Sequence, residues 1–317
     1  MDLRLTDQVI VVTGAASGIG QATARLLSEE GAVVVGVDRD PVDAGPGARV
    51  TAVQADLTDP AMPDRVIATV LERHGRIDAL VNNAGGLQAR TSFLDITDKQ
   101  WLAAFDLNFH VARRMSRAAV PAMLDSGGGS LVHVGSDSGR LPEVGNQDYA
   151  AAKLALLALS KSLATEFSPR GIRSNVVVPG PTRTPLYDRP GGFGDQAAEL
   201  WGIDKESAIT RMVTQIRPLL THKMGQPDDI AQVIAYLVSP LSRQVTAAEW
   251  TVDGGALRQV LTNRKREEDA GRARPCPRPA DVHVDSAGPA DDPRPDPGPH
   301  GSPAGAAAGG AVRRTRG

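Results

Sequence analysis

Two side chains with acid–base chemistry stand four residues apart in the run Tyr149-Ala-Ala-Ala-Lys153. This run opens a stretch rich in Ala, Leu and Lys, Tyr149–Phe167, which predicts a helix. Residues four apart on a helix lie on one face, and a nearby ammonium can lower the pKa of a tyrosine by about one to three units from its usual ~10. The spacing therefore indicates an acid–base tyrosine assisted by a lysine. An ordinary Ala-rich helix with both side chains on its surface is the alternative.

A glycine-rich segment, Thr13-Gly-Ala-Ala-Ser-Gly-Ile-Gly20, follows the first apolar run of the chain and precedes a helix-like stretch. Glycines in such a turn let backbone amides approach a pyrophosphate, and the helix N-terminus adds partial positive charge there. The spacing G-x-x-x-G-x-G departs from the common G-x-G-x-x-G fingerprint. The segment predicts a dinucleotide site, with a plain turn as the alternative.

An acidic residue ends the second strand-like run. Asp38 lies about 20 residues past the glycines, where a carboxylate can accept hydrogen bonds from ribose hydroxyls. It would also repel a ribose 2′-phosphate, so Asp38 predicts NAD rather than NADP, although the neighbouring Arg39 could soften that repulsion. A strand-end acid heading the turn Arg39-Asp40-Pro41 is the alternative.

Short β-branched runs alternate with longer helical stretches from Val9 onward. Several of these runs are apolar on both faces, as expected for strands buried between two helix layers. The alternation predicts an α/β fold with a Rossmann-like, doubly wound parallel sheet. The predicted strands are Val9–Thr13, Ala32–Val37, Val50–Gln54, Ala79–Asn82, Ser130–Gly135, Ser174–Val178 and Glu249–Val252, and the predicted helices are Gly18–Glu30, Asp64–His74, Lys99–Leu124, Tyr149–Phe167 and Pro227–Val238.

The composition changes near the C-terminus. The character of the sequence shifts after Leu257, and residues 264–317 are dominated by Arg, Pro, Gly, Ala and Asp. Such a segment buries too little apolar surface to offset its ordering entropy. We therefore expect a single Rossmann-fold domain over residues 1–257 and a disordered tail over residues 258–317.

Charge and composition exclude several classes of protein. A net charge of −2 gives no bulk attraction to nucleic acid or to an anionic membrane. The single cysteine, Cys276, excludes an internal disulfide and a zinc site built from several cysteines, and no His/Asp/Glu cluster has metal-ligand spacing. Met1 to Asp7 lack the apolar core of a secretion signal. We expect a cytoplasmic protein without a catalytic metal, a nucleic-acid partner or a membrane partner.

Taken together, these motifs resemble the short-chain dehydrogenase/reductase family. The resemblance covers about residues 5–257 and rests on Thr13–Gly20, Asn82-Asn-Ala-Gly85, Ser136, Tyr149 and Lys153. It implies a single Rossmann-like domain that transfers hydride between a nicotinamide and an alcohol or carbonyl carbon. Two departures stand out: Gly135 precedes Ser136 where relatives often have a second serine, and the chain continues well past Asp253-Gly-Gly255.

The resemblance also implies residue roles. Tyr149 would be the acid/base, Lys153 would lower its pKa and bind the nicotinamide ribose, and Ser136 would stabilise charge on the substrate oxygen. Asn108 would help hold a water near the lysine. The implied cofactor-binding residues are Gly14, Ser17, Gly18, Ile19, Gly20, Asp38, Asp56, Leu57, Asn83, Ala84, Gly85, Tyr149, Lys153, Pro179, Gly180 and Thr184.

Residues 184–212 correspond to the substrate flap of relatives and contain Tyr187, Phe193 and Trp201. These aromatic rings indicate a medium-sized, partly apolar or cyclic substrate, or they only pack the flap onto the body. Asp137, Arg140, Glu143 and Gln147, just past the serine strand, offer further polar contacts, and the sequence leaves open which of them point inward. His133, in an apolar strand, is expected to be a core residue. The expected function is interconversion of a secondary alcohol and a ketone by a homodimer or homotetramer. A cofactor-binding regulator or scaffold without turnover, and a biosynthetic epimerase or dehydratase, remain as alternatives.

Overall fold

A computed structural model of the chain describes residues 2–258 except residues 44, 46, 48 and 91. Among these residues, seven strands form one sheet, and every neighbouring pair is parallel. The strands are β1 (Val9–Thr13), β2 (Val33–Asp38), β3 (Val50–Gln54), β4 (Ala79–Asn82), β5 (Gly129–Val134), β6 (Ile172–Pro179) and β7 (Glu249–Val252). Their order across the sheet is β3-β2-β1-β4-β5-β6-β7, which confirms the predicted doubly wound architecture. A disordered tail is predicted over residues 258–317, and residues 259–317 lie outside the described residues.

The helices lie in the connections between the strands. Within the described residues they are α1 (Gly18–Glu29), α2 (Met62–His74), α3 (Asp98–Phe105), α4 (Val111–Asp125), α5 (Gln147–Phe167), α6 (Pro185–Asp188), α7 (Phe193–Trp201), α8 (Lys205–Arg211) and α9 (Pro227–Val238). None of these described helices is long and apolar enough to cross a membrane.

One helix prediction is wrong. The continuous helix expected over Lys99–Leu124 is divided into α3 and α4 by a π-helical segment, Asp106–His110. A π segment turns the side chains within it relative to the flanking α-helix, and such segments are frequent at functional sites. Here it carries the buried Asn108.

The sheet separates two hydrophobic cores, because successive side chains of a strand point to opposite faces. Ile10 and Val12 of β1 pack in the core that α1 and α9 cover, whereas Val9 and Val11 pack in the core that α2 and α4 cover. All five residues of β1 are buried. In a parallel sheet the carboxyl ends of all the strands lie at one edge, which is where ligands bind in folds of this class.

Candidate active site

The turn after β1 is folded tightly against the end of β4. Gly14 has a φ of +68°, which favours glycine, and a Cβ added at Gly20 would lie 1.9 Å from the carbonyl oxygen of Gly14. The amide of Asn83 donates hydrogen bonds to the carbonyl oxygens of Thr13 and Gly14 at 2.9 and 3.1 Å. Asn83 therefore fixes the glycine-rich turn, and Gly14 and Gly20 are needed for its close packing.

The same turn presents an uncompensated helix N-terminus. Helix α1 begins at Gly18, directly after Ser17, and has no acidic side chain in its first turn. A phosphate placed there would meet backbone N–H groups and the positive end of the helix dipole. Thr184 lies over this point, since its Cγ2 would be 3.2 Å from a Cβ added at Gly18. The turn after β6 thus meets the glycine-rich turn.

Two carboxylates lie at or just past the carboxyl ends of the neighbouring strands β2 and β3. Asp38 ends β2, and its carboxylate accepts hydrogen bonds from the backbone N–H groups of Ala16 (2.9 Å) and Asp40 (3.1 Å). Asp56 accepts from the N–H and hydroxyl of Thr58, which holds its carboxyl pKa below the usual range. The strand-end carboxylates and the glycine-rich turn together fit a nicotinamide dinucleotide.

The side chains of Ser136, Tyr149 and Lys153 come together beyond the carboxyl end of β5. Ser136 follows that strand by two residues and is buried, with 8% of its surface exposed. The Nζ of Lys153 lies 5.7 Å from the centre of the Tyr149 ring and donates a 2.8 Å hydrogen bond to the carbonyl oxygen of Val134. The sequence spacing therefore brings phenol, ammonium and hydroxyl to one place, as predicted; their catalytic roles remain predictions.

The pKa of Tyr149 differs from the sequence-based expectation. Burial raises the pKa of this phenol to about 12, and the Ser136 hydroxyl opposes only part of that rise. Burial also lowers the pKa of Lys153 to about 8. The expectation that Lys153 brings the Tyr149 pKa toward neutrality is not met, because burial disfavours the charged phenolate and is the largest cause of the shift. At neutral pH the phenol is protonated and can act as an acid.

Asn108 lies beside Lys153 rather than facing solvent. Its side-chain oxygen accepts a hydrogen bond from the N–H of Gly86, and its amide donates to the carbonyl oxygens of Gly86 and Ala104, all at 3.0 Å. A Cβ added at Gly85 would lie 2.8 Å from the Asn108 oxygen and 3.1 Å from the Lys153 Nζ. Asn108 and Lys153 therefore flank Gly85 at the inner end of the site.

Sequence reasoning missed one residue of this region. Arg217 follows a second π-helical segment, Met212–Ile216, and its guanidinium pairs at 2.8 Å with the buried carboxylate of Asp137. Its positive charge also reaches the Tyr149 phenol, whose pKa it lowers slightly against the larger effect of burial. Arg217 lies 68 positions after Tyr149 in the sequence, and no local pattern connects the two residues.

His133 lies in the core, as predicted. Its ring nitrogens are 3.3 Å from the Asn82 amide and 3.3 Å from the Ser174 hydroxyl, and the ring is fully buried. Burial and the nearby Lys153 charge lower its pKa to about 4. A histidine held neutral by burial in this way supports the sheet and does not contact the Tyr149 site.

The sequence and the fold are similar to those of known proteins. Residues 14–256 match the family model described as enoyl-(acyl carrier protein) reductase. Oxidoreductase UcpA of Escherichia coli K12 is 34% identical over 261 residues, which cover 80% of this chain and 95% of UcpA. Dehydrogenase/reductase SDR family member 4 of Homo sapiens is 33% identical over 259 residues, 79% of this chain and 88% of that protein. The solved L-sorbose reductase from Gluconobacter frateurii, complexed with NADPH and L-sorbose, is 30% identical with a TM-score of 0.76, covering 82% of this chain and 100% of that chain.

Proposed function

The chain belongs to the short-chain dehydrogenase/reductase family of NAD(P)-dependent oxidoreductases, and we propose that it interconverts a secondary alcohol and a ketone, with Tyr149 as the acid/base. The observation that supports this most is the grouping of Ser136, Tyr149 and Lys153 beside the turn of Gly14 and Gly20. When bound, the nicotinamide supplies hydride to a carbonyl carbon or takes it from an alcohol carbon.

The side chains then divide the proton chemistry among them. In the direction of reduction, the Tyr149 phenol gives its proton to the substrate oxygen, and the Ser136 hydroxyl stabilises negative charge developing there. The Lys153 ammonium stabilises the phenolate that is left behind. Because burial raises the pKa of Tyr149 to about 12, the phenol is ready for reduction at neutral pH, whereas oxidation first requires its proton to leave.

The proposal is tested by following reduced-cofactor absorbance with a panel of alcohols and ketones. We expect NADH oxidation with at least one class of ketone and NAD reduction with the matching alcohol. Tight cofactor binding without turnover across a broad panel would instead favour a regulator or scaffold. A product of unchanged mass, or one lighter by a water, would favour an epimerase or a dehydratase.

We propose NAD as the preferred cofactor, because the Asp38 carboxylate would lie beside a ribose 2′-phosphate. The exposed Arg39 guanidinium lies 3.7 Å from the Asp40 carboxylate, and we propose that this pairing limits how far Arg39 offsets the charge of Asp38. Two unit charges about 4 Å apart repel by roughly 1 to 4 kcal/mol at the surface of a protein, which corresponds to about 5- to 1000-fold in affinity. We expect NADH to bind at least about 5-fold more tightly than NADPH, as measured by fluorescence titration.

Asp38→Ala should reduce the ratio of the NADH affinity to the NADPH affinity, chiefly because NADPH binds more tightly. Asp64→Ala removes an exposed carboxylate from α2 and serves as the charge-matched control, with an unchanged ratio. Equal affinities for NADH and NADPH in the unaltered protein would contradict the role of Asp38.

We also propose a homodimer or homotetramer located in the cytoplasm. Large apolar side chains are exposed on α3 and α5, with Leu102 72% and Leu154 51% exposed. Exposed apolar surface of this kind favours contact with a second protein surface. Light scattering coupled to gel filtration should give the mass of two or four chains, and the mass of a single chain would contradict the assembly.

A further inference from the structure

Asp137 and Arg217 form a buried ion pair directly beside Ser136. The Nη2 of Arg217 lies 2.8 Å from the Oδ2 of Asp137, and the two side chains are 15% and 3% exposed. The Ser136 hydroxyl donates to the other oxygen of Asp137, Oδ1, at 3.3 Å. One hydrogen bond therefore separates the ion pair from the hydroxyl that is proposed to contact the substrate oxygen.

The ion pair has hydrogen-bonding capacity that its neighbours leave unused. Although Nη2 and Oδ2 are close, they are not aligned for a hydrogen bond, and neither has another partner among the residues that the structure describes. The Nε of Arg217 also lacks a partner there. Leaving a buried polar group without a hydrogen-bond partner is unfavourable, because the group has lost water and gained nothing in exchange. The pair thus holds one acceptor and two donors whose hydrogen-bonding capacity the described residues leave unused.

The charges around the pair select the chemistry of that ligand. A carboxylate accepts hydrogen bonds only, and it would meet Asp137, the Glu143 carboxylate 3.5 Å from the Nη1 of Arg217, and the negative field of Asp253. An ammonium donates only, and it would meet the guanidinium. A hydroxyl group donates and accepts at once and carries no charge. It is the simple group that satisfies both partners without repulsion.

We propose that Asp137 and Arg217 bind a hydroxyl group of the substrate close to its reacting carbon, so that the substrate class is a hydroxylated ketone and the corresponding polyol. This inference rests on the proposed function of the Tyr149 site. Asp137 would accept from the substrate hydroxyl, while Arg217 would donate to it. These two side chains thus act as specificity-determining residues and take no part in the hydride or proton transfer.

The first test compares matched ketones on the unaltered protein. The probes are 2-butanone, its hydroxylated analogues 1-hydroxy-2-butanone and 4-hydroxy-2-butanone, and acetoacetate as the carboxylate. Sites that hydrogen-bond a substrate hydroxyl reject the analogue lacking it strongly, so we expect kcat/KM for at least one hydroxylated ketone to exceed that for 2-butanone by roughly 100-fold. The kcat/KM for acetoacetate should be lower than that for either hydroxylated ketone.

The second test measures kcat/KM for the hydroxylated ketones relative to that for 2-butanone in the variants Asp137→Asn and Arg217→Met. Each variant should reduce the preference for the hydroxylated ketone by at least about 10-fold, mainly through a higher KM. Arg117→Met, at an exposed ion pair with Asp64, is the control and should keep the preference. If a variant fails to fold, the hydroxyl site is still tested by the ratio of kcat/KM for the hydroxylated ketones to kcat/KM for 2-butanone in the unaltered protein.

The possible failures are distinguishable. Equal kcat/KM for 2-butanone and both hydroxylated ketones, or a preference that survives in both variants, would overturn the hydroxyl site alone. A higher kcat/KM for acetoacetate would overturn it in favour of an anion site at Arg217. Absence of turnover with every ketone, despite cofactor binding, would overturn the proposed function and this inference with it.

Discussion

Replacing Tyr149 by phenylalanine should lower kcat/KM for ketone reduction by roughly 10²- to 10⁴-fold, the range that a positioned proton donor contributes. The substitution removes the phenol oxygen and keeps the ring, so the packing of α5 is preserved. Cofactor affinity and the midpoint of urea unfolding should therefore stay close to those of the unaltered protein. Steady-state kinetics together with NADH titration separate a lost proton donor from lost binding.

The pH dependence provides a second view of the same residue. Because burial raises the Tyr149 pKa to about 12, the fraction of phenolate rises about tenfold per pH unit below that value. The ratio of oxidation to reduction should therefore increase steadily from pH 6 to pH 9 at saturating cofactor. Tyr236→Phe is the matched control, since Tyr236 lies on α9 and packs against Trp250 of β7, with ring centres 5.5 Å apart. If the Tyr149→Phe variant were as active as the Tyr236→Phe variant, Tyr149 would have no role in the mechanism.

Replacing Lys153 by methionine should lower kcat/KM by roughly 100-fold. Two unit charges about 6 Å apart at an effective dielectric constant of about 20 attract by about 3 kcal/mol, and the Lys153 Nζ lies 5.7 Å from the centre of the Tyr149 ring. Without the ammonium, the phenolate formed during reduction loses this stabilisation. Methionine fills a similar volume and removes a charge that is costly to bury, so the fold should be retained.

The lysine also predicts a limit at alkaline pH. Burial lowers the Lys153 pKa to about 8, so its charge is present below that pH and is lost above it. The rate of reduction should decline above about pH 8 in the unaltered protein, and this decline should be absent in Lys153→Met. Lys161→Met alters an exposed lysine on the same helix and should keep both the rate and the decline. An identical alkaline decline in Lys153→Met would assign the titration to another group.

The fold followed closely from local patterns. The bounds of β1, β3, β4, β7 and α9 agree with prediction, because short β-branched runs between two helix layers leave little choice of structure. Strand β6 extends past the predicted Ser174–Val178 to Ile172–Pro179, since it pairs with β5 along one side and β7 along the other. Such pairing depends on neighbours that are distant in the sequence.

The site was predictable only where its residues lie in one local pattern. Tyr149 and Lys153 share a helix face, and Ser136 follows a strand, so their convergence could be expected from spacing and topology. The π-helical segment around Asn108 has no comparable signal, because its backbone hydrogen bonds span only one residue more than those of an α-helix. Arg217 reaches Asp137 through a tertiary contact, and the raised pKa of Tyr149 comes from burial. Both depend on the whole fold.

The most direct test of the account follows deuterium from NADH labelled at the nicotinamide C4 into a ketone that the protein reduces. We expect deuterium to appear on the carbinol carbon of the product at the rate of NADH oxidation. In the Tyr149→Phe variant this transfer should be lost, although NADH still binds. Product formation without deuterium, or undiminished transfer in Tyr149→Phe, would contradict the claim that Ser136, Tyr149 and Lys153 form a hydride-transfer site beside the glycine-rich turn.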